Sequence, residues 1–548
     1  MKPDFIIISH SEVAHYEKYR QLPLDRIEIF RNLVQLRMVY YDGEFLSHLD
    51  VLNKIVYGKT FNEASCDERR GMFTVWNLPS FNGMLAISEL VKSGFNCKVI
   101  NNFDAELDIF ERYATLTDKP IIGISSTFIL QWNEISRIAA KIRELVPSAI
   151  IIVGGAFVND QFIMLGKQAF SKYLKKYHLD YIIYSFNSEK DLLQLMKMLK
   201  IGGDLKTVNN LAYIDHNGNY TTTMDCWNEP VLDYPPQAWS QLYSPETMGN
   251  TLQLRTTSGC PFSCAFCTYP VTAGGFSLTD VETFERQLQA IHALGNIKSV
   301  ILIDDTPNVP LPRFRELVEV FKKYPLRWYS FLRVQYMDEQ LAMDMAISGC
   351  DGVYMGIESA NDGVLAAMNK KVKVDDYRRG IELLRRNNII TFAAFVLGFP
   401  GETEETVADN INFIEETGLA FYSVKEFYYS HTASIHEQRK KYGLTGQGNE
   451  WKHNTMSSVE ASNQKLRMFE TVKSSIYVDS DSGLWYLAYL RECGFTWSEI
   501  REIQNKISEM MSQDNRDDYF SKDRLTANLV TILGKSSFKG NPTKIFDS

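Results

Sequence analysis

The chain lacks an apolar run of 18 residues, which is the length that a membrane-spanning helix needs. Its first nine residues contain only a four-residue apolar run, so no secretory signal peptide is expected there. The sequence also contains no G-x-G-x-x-G and no G-x4-G-K-[ST] pattern, which are the fingerprints of dinucleotide and P-loop sites. These absences weigh against membrane-spanning, secreted and nucleotide-binding proteins.

Positive charge is scarce as well. The chain has 58 Lys and Arg residues and 67 Asp and Glu residues, which gives a net charge of −9 and a pI near 5.6. An acidic chain matches phosphate backbones poorly, so we expect neither nucleic acid nor a membrane as its partner. Eight cysteines without a secretory signal indicate reduced thiols and a cytoplasmic protein. The length of 548 residues predicts two to three domains.

The N-terminal part, residues 1–235, alternates Ile- and Val-rich runs with helical patterns near 82–93, 104–115, 131–145 and 188–199. This alternation predicts an α/β domain with a doubly wound, Rossmann-like parallel sheet buried on both faces. Residues 16–70 are less regular and are interpreted as an insertion or an extension of the sheet. The predicted strands are Phe5–Ser9, Met72–Trp76, Cys97–Asn101, Pro120–Ser126, Ala149–Gly155 and Asp180–Ser185, with a hairpin at Leu211–Asp215 and Asn219–Thr223.

A polar linker with Pro230, Pro235 and Pro236 separates this domain from residues 251–440. There the alternation predicts a partial (β/α)6 barrel, whose functional loops follow the carboxyl ends of the strands. Residues 441–548 are predicted to be mainly helical, with a polar tail from Gly534. The six predicted barrel strands are Thr251–Thr257, Ser299–Asp304, Arg327–Val334, Gly352–Ile357, Ile390–Leu397 and Tyr422–Tyr428.

Three cysteines within eight residues carry the strongest chemical signal in the chain. Cys260, Cys264 and Cys267 follow the spacing C-x3-C-x2-C. Thiolates favour iron–sulfur clusters, zinc and copper(I), but structural zinc takes four ligands that usually come as two separated pairs. The other five cysteines form no second pair. The spacing therefore predicts a 4Fe-4S cluster with one open iron, and zinc or unligated thiols are the alternatives.

Polar residues also stand where the predicted barrel strands end. Adjacent carboxylates at Asp304 and Asp305 could receive ammonium or hydroxyl groups, or could cap a loop or a helix. Arg333 could bind a carboxylate through its guanidinium fork, or could form a surface ion pair. Glu358 ends the fourth strand, and the turn Gly398–Thr403 ends the fifth.

Three loops of small residues follow consecutive strands of the N-terminal domain. They leave room for a large planar ligand at the carboxyl edge of the sheet, and a nucleotide or an empty edge are the alternatives. The candidate binding residues in these loops are Ser125, Ser126, Thr127, Gly154, Gly155, Ala156, Ser185 and Asn187.

The cysteine motif, with Phe266 before its third cysteine, is similar to that of radical S-adenosylmethionine (SAM) enzymes. The stretches Gly356–Ser359 and Gly398–Thr403 resemble those of members that also bind cobalamin. The segments Ile303–Arg313 and Phe427–Ile435 look most like phosphinate P-methyltransferases and tryptophan or peptide methyltransferases. The resemblance implies a 4Fe-4S cluster, cobalamin in the N-terminal loops, and SAM bound by Phe266, Asp304, Asp305, Arg333, Glu358, Gly398 and Pro400.

The function that the resemblance implies is methyl transfer from SAM, through methylcobalamin, to an unactivated carbon or phosphorus centre of a small molecule or peptide. An electron donor such as flavodoxin or ferredoxin would be a partner. A non-methylating rearrangement or cyclisation, a polar methyl transfer and a cluster-bearing sensor stay open as alternatives. The resemblance assigns no catalytic residue.

Two further features belong to these expectations. The chain lacks the D-x-H-x-x-G pattern of many cobalamin domains, and His10 is the only histidine near the predicted edge, so we expect no histidine ligand to cobalt. Tyr428, Tyr429, His431 and Trp451 could line a pocket near the barrel mouth, but aromatic packing against the C-terminal helices is the better explanation of each residue taken singly.

Overall fold

The computed structural model describes residues 2–11, 36–235, 239–243, 248–479, 483–512, 529 and 532–533. Contacts divide the chain into two compact units. The first unit comprises residues 1–16, 64–253 and 286–297, and the second comprises residues 17–63, 254–285 and 298–548.

The elements up to residue 250 alternate strands and helices over most of their length. They are β1 (Phe5–His10), β2 (Val39–Tyr41), β3 (Glu44–Leu46), α1 (His48–Tyr57), α2 (Cys66–Arg69), α3 (Phe81–Ala86), α4 (Ser88–Lys92), β4 (Cys97–Asn102), α5 (Leu107–Ala114), β5 (Ile121–Ser125), α6 (Trp132–Leu145), β6 (Ile150–Gly154), α7 (Ala156–Ser171), α8 (Tyr173–Lys176), β7 (Tyr181–Ile183), α9 (Glu189–Ile201), β8 (Leu211–Ile214), β9 (Tyr220–Thr222) and α10 (Trp239–Leu242).

The later elements repeat the alternation. They are β10 (Thr251–Leu254), β11 (Thr257–Ser258), α11 (Tyr269–Ala273), β12 (Ser277–Leu278), α12 (Val281–Ala293), β13 (Ser299–Leu302), α13 (Leu311–Phe321), β14 (Arg327–Leu332), α14 (Glu339–Ile347), β15 (Cys350–Glu358), α15 (Asp362–Ala367), α16 (Val374–Arg386), β16 (Ile390–Leu397), α17 (Glu404–Thr417), β17 (Phe421–Glu426), α18 (Arg439–Tyr442), β18 (Thr445–Gln447), β19 (Glu450–Lys452), α19 (Ser458–Thr471), β20 (Ile476–Tyr477), α20 (Leu484–Glu492) and α21 (Trp497–Ser512).

The first sheet has the strand order β4-β1-β5-β6-β7-β8-β9. Its first five strands are parallel, and β8 and β9 add an antiparallel edge. Numbered along the chain, the parallel strands lie in the order 2-1-3-4-5, which is one of the two common doubly wound arrangements. Every residue of β1 is buried, as expected of a strand covered on both faces. The predicted parallel sheet and its hairpin are confirmed.

Several local predictions in this unit are wrong. Met72–Trp76 is not a strand, because the Thr74 hydroxyl accepts a hydrogen bond from the Trp76 amide at 3.2 Å and begins a 3-10 helix at Val75–Asn77. The first strand extends one residue beyond the predicted Phe5–Ser9 to include His10, and the predicted helix 82–93 breaks at Ile87 into α3 and α4. Of the irregular segment 16–70, residues 16–35 lie outside the described part of the chain.

The second sheet has the order β10-β13-β14-β15-β16-β17-β20, and its described pairings from β13 to β20 are parallel. The six predicted strands are all present, but the count of six is wrong. The seventh strand, Ile476–Tyr477, pairs with Phe421 and Tyr422 and is too short to leave a pattern in the sequence. The predicted mainly helical region therefore also contributes a strand and the hairpin β18–β19. Its tail from Gly534 lies outside the described residues.

The two faces of this second sheet differ in side-chain size and burial. Along β15, Val353, Met355 and Ile357 are fully buried, while the alternating residues Tyr354 and Gly356 are only half-buried. The face of Tyr354, which we call the aromatic face, carries one register row of Phe331, Tyr354, Phe392 and Phe421. Within the described ranges, no helix has the length and apolar character that crossing a bilayer requires.

Trp328 offers a test of the packed face. It is fully buried, stacks on Phe321 at 4.9 Å, and donates a hydrogen bond to the Ser348 carbonyl at 3.1 Å. Trp328→Ala should lower the free energy of unfolding by about 3–5 kcal/mol, measured by denaturant titration. Trp227→Ala, at a tryptophan that is 49% exposed, is the matched control and should change little. Equal losses for both variants would contradict this packing.

Candidate functional site

The three predicted cluster ligands lie in the loop after β10 in the second unit. Cys260, Cys264 and Cys267 are all half-buried and free of disulfides. Burial raises the pKa of the Cys267 thiol to about 11, and the nearby Cys264 and Cys260 thiolates add to the shift. Three thiolates here would repel one another in a poorly solvated loop. A cationic iron cluster would relieve that repulsion, so the donor set fits the predicted group.

A single-ion site fits these residues less well. Within the described part of the chain, no group of three His, Cys, Asp or Glu side chains is placed to hold one metal ion. In structural zinc sites all ligands surround one ion, whereas each thiolate of an iron–sulfur cubane binds a different iron. The arrangement therefore agrees better with a cluster than with zinc.

The loop begins with a glycine whose size is required. Gly259 has φ +76°, and a Cβ at this position would lie 1.6 Å from the carbonyl oxygen of Gly275. The two backbones can approach this closely because neither residue has a side chain. This contact holds the start of the cysteine loop against the segment that follows α11.

Asp304 anchors the same loop to the sheet. Its carboxylate is buried and accepts hydrogen bonds from the amides of Thr256 and Thr257 at 2.7 and 2.6 Å. The Thr256 hydroxyl donates to its second oxygen at 2.8 Å. Asp304 therefore fixes the two residues that precede the cysteine motif, and its predicted contact with SAM stays a prediction.

A second anchor reaches the loop from residues 368–370, which we call the clamp segment. The Ala265 amide donates to the Met368 carbonyl at 2.8 Å. The Asn369 side-chain amide donates to the Ser263 carbonyl at 2.8 Å and contacts its hydroxyl at 3.0 Å. Asn369 adopts a left-handed φ of 55°, which costs energy in a non-glycine residue and is common at functional sites.

The clamp segment also holds two predicted SAM residues. The Lys370 ammonium donates to Glu358 Oε1 at 2.7 Å, and both side chains are largely buried. The Arg333 guanidinium donates to the Lys370 carbonyl at 2.7 Å and lies 3.6 Å from the ring centre of Phe262. Lys370 therefore connects Glu358, Arg333 and the cysteine loop.

Two buried polar atoms near this group have no hydrogen-bond partner among the described residues. They are Arg333 Nε and the hydroxyl of Tyr377. The charges of Glu358, Arg333 and Cys264 all act on Tyr377, which places its hydroxyl close to them. Buried groups of this kind usually pair with something, so they agree with a polar cofactor or ordered water at this position.

The remaining predicted SAM residues surround the same loop. Asp305 is exposed and interacts with the Tyr269 hydroxyl. Phe266 is half-buried and meets Phe399 edge to face at 6.3 Å. Pro400, one residue after Phe399, is buried in the turn after β16. The structure therefore brings these three residues to the carboxyl side of the second sheet.

Gly398 has a reason of its own to be glycine. Its φ is +85°, and a Cβ there would lie 2.3 Å from the indole of Trp451. An aromatic ring does approach the backbone at Gly398, and it is the indole of Trp451. Trp451 is buried and donates to the Phe427 carbonyl at 2.6 Å, so it packs in the core instead of lining an open pocket.

The other three candidate pocket residues differ from one another in burial. Tyr429 is buried, and its hydroxyl contacts His436 Nδ1 at 2.7 Å. Tyr428 is 61% exposed, and His431 is exposed as well. Of the predicted lining residues, only Tyr428 and His431 are open to a ligand.

The predicted cobalamin loops come together at the carboxyl edge of the first sheet. The Ser126 amide donates to the Gly154 carbonyl at 2.7 Å, and the Val158 amide donates to the Ser126 hydroxyl at 3.2 Å. Gly155 has φ +115°, and a Cβ there would lie 3.0 Å from the Ser126 amide. The loops after β5 and β6 therefore support each other, with Ala156 beginning α7.

The other loop residues are held by side-chain hydrogen bonds. Ser125 accepts from Asn82 at 2.8 Å, and its hydroxyl contacts that of Thr127 at 3.3 Å. Ser185 donates to Asp191 at 2.6 Å. Asn187 donates to the Asn228 carbonyl at 2.9 Å, and Asn228 donates back to the Asn187 carbonyl at 3.0 Å.

Apolar side chains flank these polar loops. Phe128 and Leu130 are 38% and 56% exposed just after β5. Trp76 lies between Phe128, at 5.1 Å, and the buried ring of His10, at 3.4 Å. Exposed apolar residues beside small polar loops fit a large ring ligand such as a corrin, and His10 is stacked within the protein.

Sequence reasoning missed Lys370 and Glu402. Glu402 lies inside the noted turn Gly398–Thr403, where a buried acid could have been suspected. Its carboxylate is fully buried and accepts a hydrogen bond from the Gly398 amide at 2.5 Å. Lys370 stands among three lysines between two helices, a pattern that usually marks a solvated loop.

Residues 254–414 match the radical SAM superfamily. An uncharacterized methyltransferase of Pyrococcus horikoshii is 24% identical over 361 residues, or 62% of this chain and 74% of that protein. An anaerobic magnesium-protoporphyrin IX monomethyl ester cyclase of Rubrivivax gelatinosus is 25% identical over 281 residues. The chain spans 49% of that cyclase, so about half of its length has no counterpart in the match.

Among solved structures, TsrM is similar over nearly the whole chain. This radical S-adenosylmethionine methyltransferase from Kitasatospora setae was solved with cobalamin and a [4Fe-4S] cluster bound. The TM-score is 0.58 at 15% identity, and the match covers 93% of this chain and 100% of that one. An identity this low shows a common fold.

Lys370→Met should weaken SAM binding roughly tenfold or more, because a hydrogen bond to a charged group contributes about 1.5–3 kcal/mol and Glu358 would lose its partner. Iron content should stay unchanged, since the clamp segment holds the cysteine loop through other atoms. Equilibrium dialysis against SAM and iron analysis measure the two quantities. Lys371→Met, at the exposed neighbour, is the control. Unchanged SAM affinity in Lys370→Met would contradict the role of the ion pair.

The burial of the Glu402 carboxyl group predicts that the stability of the protein depends on pH. Burial raises its pKa to about 8, and hydrogen bonds from Gly398 and Asn410 oppose the shift only in part. A carboxyl whose folded pKa exceeds its unfolded value of 4.5 stabilises the protein at low pH. Stability should therefore fall between about pH 4.5 and pH 8, and Glu402→Gln should reduce that slope. Melting temperatures across this range test it, and parallel curves would argue against it.

Proposed function

We propose that this chain, whose residues 254–414 match the radical SAM superfamily, is a cobalamin-dependent radical SAM methyltransferase. The methyl group would pass from SAM through cobalamin to an unactivated carbon or phosphorus centre of a small molecule or peptide. The observation that carries the proposal is the loop of three free thiols that Asp304 and the clamp segment hold at the carboxyl side of a parallel sheet.

Cys260, Cys264 and Cys267 would hold the 4Fe-4S cluster, which supplies one-electron chemistry together with SAM when both are bound. Glu358 would bind hydroxyl groups of SAM, and Lys370 would orient that carboxylate. Arg333 would bind the carboxylate of SAM through its remaining donors. Phe266, Asp305, Gly398 and Pro400 would shape the surrounding loop and exclude water from it.

Cobalamin would lie on the loops of the first unit. Ser125, Ser126 and Thr127, Gly154 to Ala156, and Ser185 with Asn187 would bind it from one edge of the sheet, and Phe128 and Leu130 would contact its apolar surface. The solved relative TsrM, whose fold is similar, binds cobalamin and a cluster, which supports this assignment. We propose that no histidine of this chain binds the cobalt, since His10 is stacked on Trp76.

The proposed function also implies an assignment of domains, an electron donor and a location. We assign residues 1–235 to a cobalamin domain, residues 251–440 to a radical SAM partial barrel, and residues 441–548 to a C-terminal region. A flavodoxin or ferredoxin would donate the electron, and no nucleic acid takes part. The eight free cysteines support a location in the reducing cytoplasm.

One alternative has support of its own. The relative from Rubrivivax gelatinosus is a cyclase, so a non-methylating ring closure or rearrangement on the same cofactors is the second candidate. Product mass separates the two, because methyl transfer adds one methylene unit to the substrate and rearrangement adds none.

Anaerobic reconstitution with iron, sulfide and hydroxocobalamin tests the proposal. We expect visible spectra of both cofactors and reductant-dependent consumption of SAM. Cys264→Ala should lose the cluster bands and the SAM turnover while keeping the cobalamin spectrum, because its loop lies in the other unit. Cys226→Ala, at an exposed cysteine, is the control. Full SAM turnover in Cys264→Ala would remove the cluster assignment, and a protein without affinity for corrinoid would remove the cobalamin assignment.

A further inference from the structure

The aromatic face of the second sheet carries ring surface that the protein does not cover. Phe331 and Tyr354 are half-buried and lie 5.3 Å apart, and Trp485 of α20 meets Phe331 at 5.4 Å. One step toward the carboxyl edge, the register aligns Gly356, Ala394 and Ser423 on three neighbouring strands. At Gly356 the Glu358 carboxylate takes the place of a side chain, because a Cβ there would lie 2.4 Å from Glu358 Oε1.

Lys425 stands beyond this small row. It pairs in register with Val396, two residues after Ser423, so its side chain belongs to the same face of the sheet. The side chain is 38% exposed, although it sits at the end of a central strand. Lysine at such a place presents a compact charge with three donors.

Asp479 holds this lysine in place. The carboxylate is completely buried just after β20 and pairs with both Lys425 and Lys465. The Tyr477 hydroxyl donates to it at 3.0 Å. Burial alone would raise the pKa of Asp479, but the charges of Lys425, Lys465 and Arg37 hold it well below its usual range. The ion pair with Asp479 therefore holds the Lys425 ammonium in place.

Lys425 keeps donors free after this contact. Lys465 is fully buried and forms ion pairs with both Asp479 and Glu426, so its charge is neutralised within the protein. Among the described residues, Asp479 is the sole hydrogen-bond partner of the Lys425 ammonium. Two of its three N–H groups therefore have no partner among the described residues, and the side chain is 38% exposed.

The two charged groups on this face both lie toward the carboxyl edge from Tyr354, with Glu358 on the same strand and Lys425 on β17. Its hydroxyl contacts that of Ser423 at 3.5 Å. Burial raises the pKa of Tyr354 to about 12, and the charges of Glu358 and Asp479 both add to the shift. Both carboxylates therefore act on one hydroxyl, and Lys425 stands two strands from the proposed SAM residue Glu358 at the same edge of the sheet.

We propose that the aromatic face is the substrate site, where Lys425 binds an oxyanion of the substrate and Phe331, Tyr354 and Trp485 contact its apolar part. This inference deepens the proposed function, since it assumes that SAM lies by Glu358. The substrate class is an amphipathic monoanion, a carboxylate or a phosphinate. The anion would lie beside Lys425 at the carboxyl edge of the sheet, where Glu358 also lies, and the apolar part would lie over the rings.

Binding of isosteric probes tests the inference without turnover. Calorimetric titration of the reconstituted enzyme compares 3-phenylpropionate with the neutral 3-phenylpropionamide, and phenylphosphinate is the second anion. We expect the preferred anion to bind at least about tenfold more tightly than the amide, as a charge-assisted hydrogen bond predicts. The tighter of the two anions identifies the class. A wild-type protein that binds neither anion, or binds the amide equally well, would overturn the proposal.

Variants assign the preference to one residue. Lys425→Met should reduce it to near unity, while Lys425→Arg, which keeps the charge, should retain it. Lys440→Met, at an exposed lysine of α18, should behave as wild type. A retained preference in Lys425→Met would contradict the assignment, and melting curves verify that each variant folds. Spectra of cluster and cobalamin come from the same samples, so loss of the anion preference with both cofactors present rejects this inference alone.

Discussion

The repulsion among three thiolates in one short loop is the constraint on which the second unit depends. The chain meets it by fixing the backbone on both sides of the cysteines, so that their positions do not relax apart. Asp304 binds the two threonines before the motif, and the clamp segment binds Ser263 and Ala265 inside it. Because these bonds are made by backbone groups and buried side chains, the loop is prepared before any iron arrives. Preparation of this kind reduces the entropy that metal binding would otherwise lose.

The carboxylates of this unit are positioned in a common way. Glu358 is held by Lys370, and Asp479 is held by Lys425 and Lys465. Buried ion pairs contribute little net stability, because the cost of desolvation offsets their attraction. They do fix the orientation of both side chains, since a buried charge left without its partner is strongly unfavourable. At the edge of the aromatic face this arrangement fixes the Glu358 carboxylate and the Lys425 ammonium two strands apart.

Much of the fold could be predicted from the sequence because parallel strands buried on both faces leave continuous Ile and Val runs. β1, β5 and β6 are of this kind. The run Met72–Trp76 is also mostly apolar, yet the Thr74 hydroxyl begins a 3-10 helix there, and no apolar pattern reveals a local hydrogen bond of that kind. β20 was missed because two residues carry no periodicity.

The candidate site was predictable where chemistry is local. The cysteine spacing and the acids at strand ends are visible in a few residues of sequence. Lys370 and Lys425 are not, because their importance comes from partners far along the chain. Lys425 meets Asp479 across 54 residues, the Lys370 carbonyl meets Arg333 across 37, and the neighbouring Asn369 meets Ser263 across 106. Only the folded chain brings these partners together.

The long separations at the cysteine loop bear on when a cluster can be inserted during the life of the polypeptide. The Ile435 amide donates to the Ala265 carbonyl at 3.0 Å, so the loop is complete only when residue 435 is available. A ribosome adds about 5–20 residues per second, so the thiols would emerge roughly ten seconds or more before their last backbone partner. During that interval they would be flexible and reactive. Delivery of iron and sulfide is therefore expected to follow release of most of the chain, which makes cluster insertion a late step of maturation.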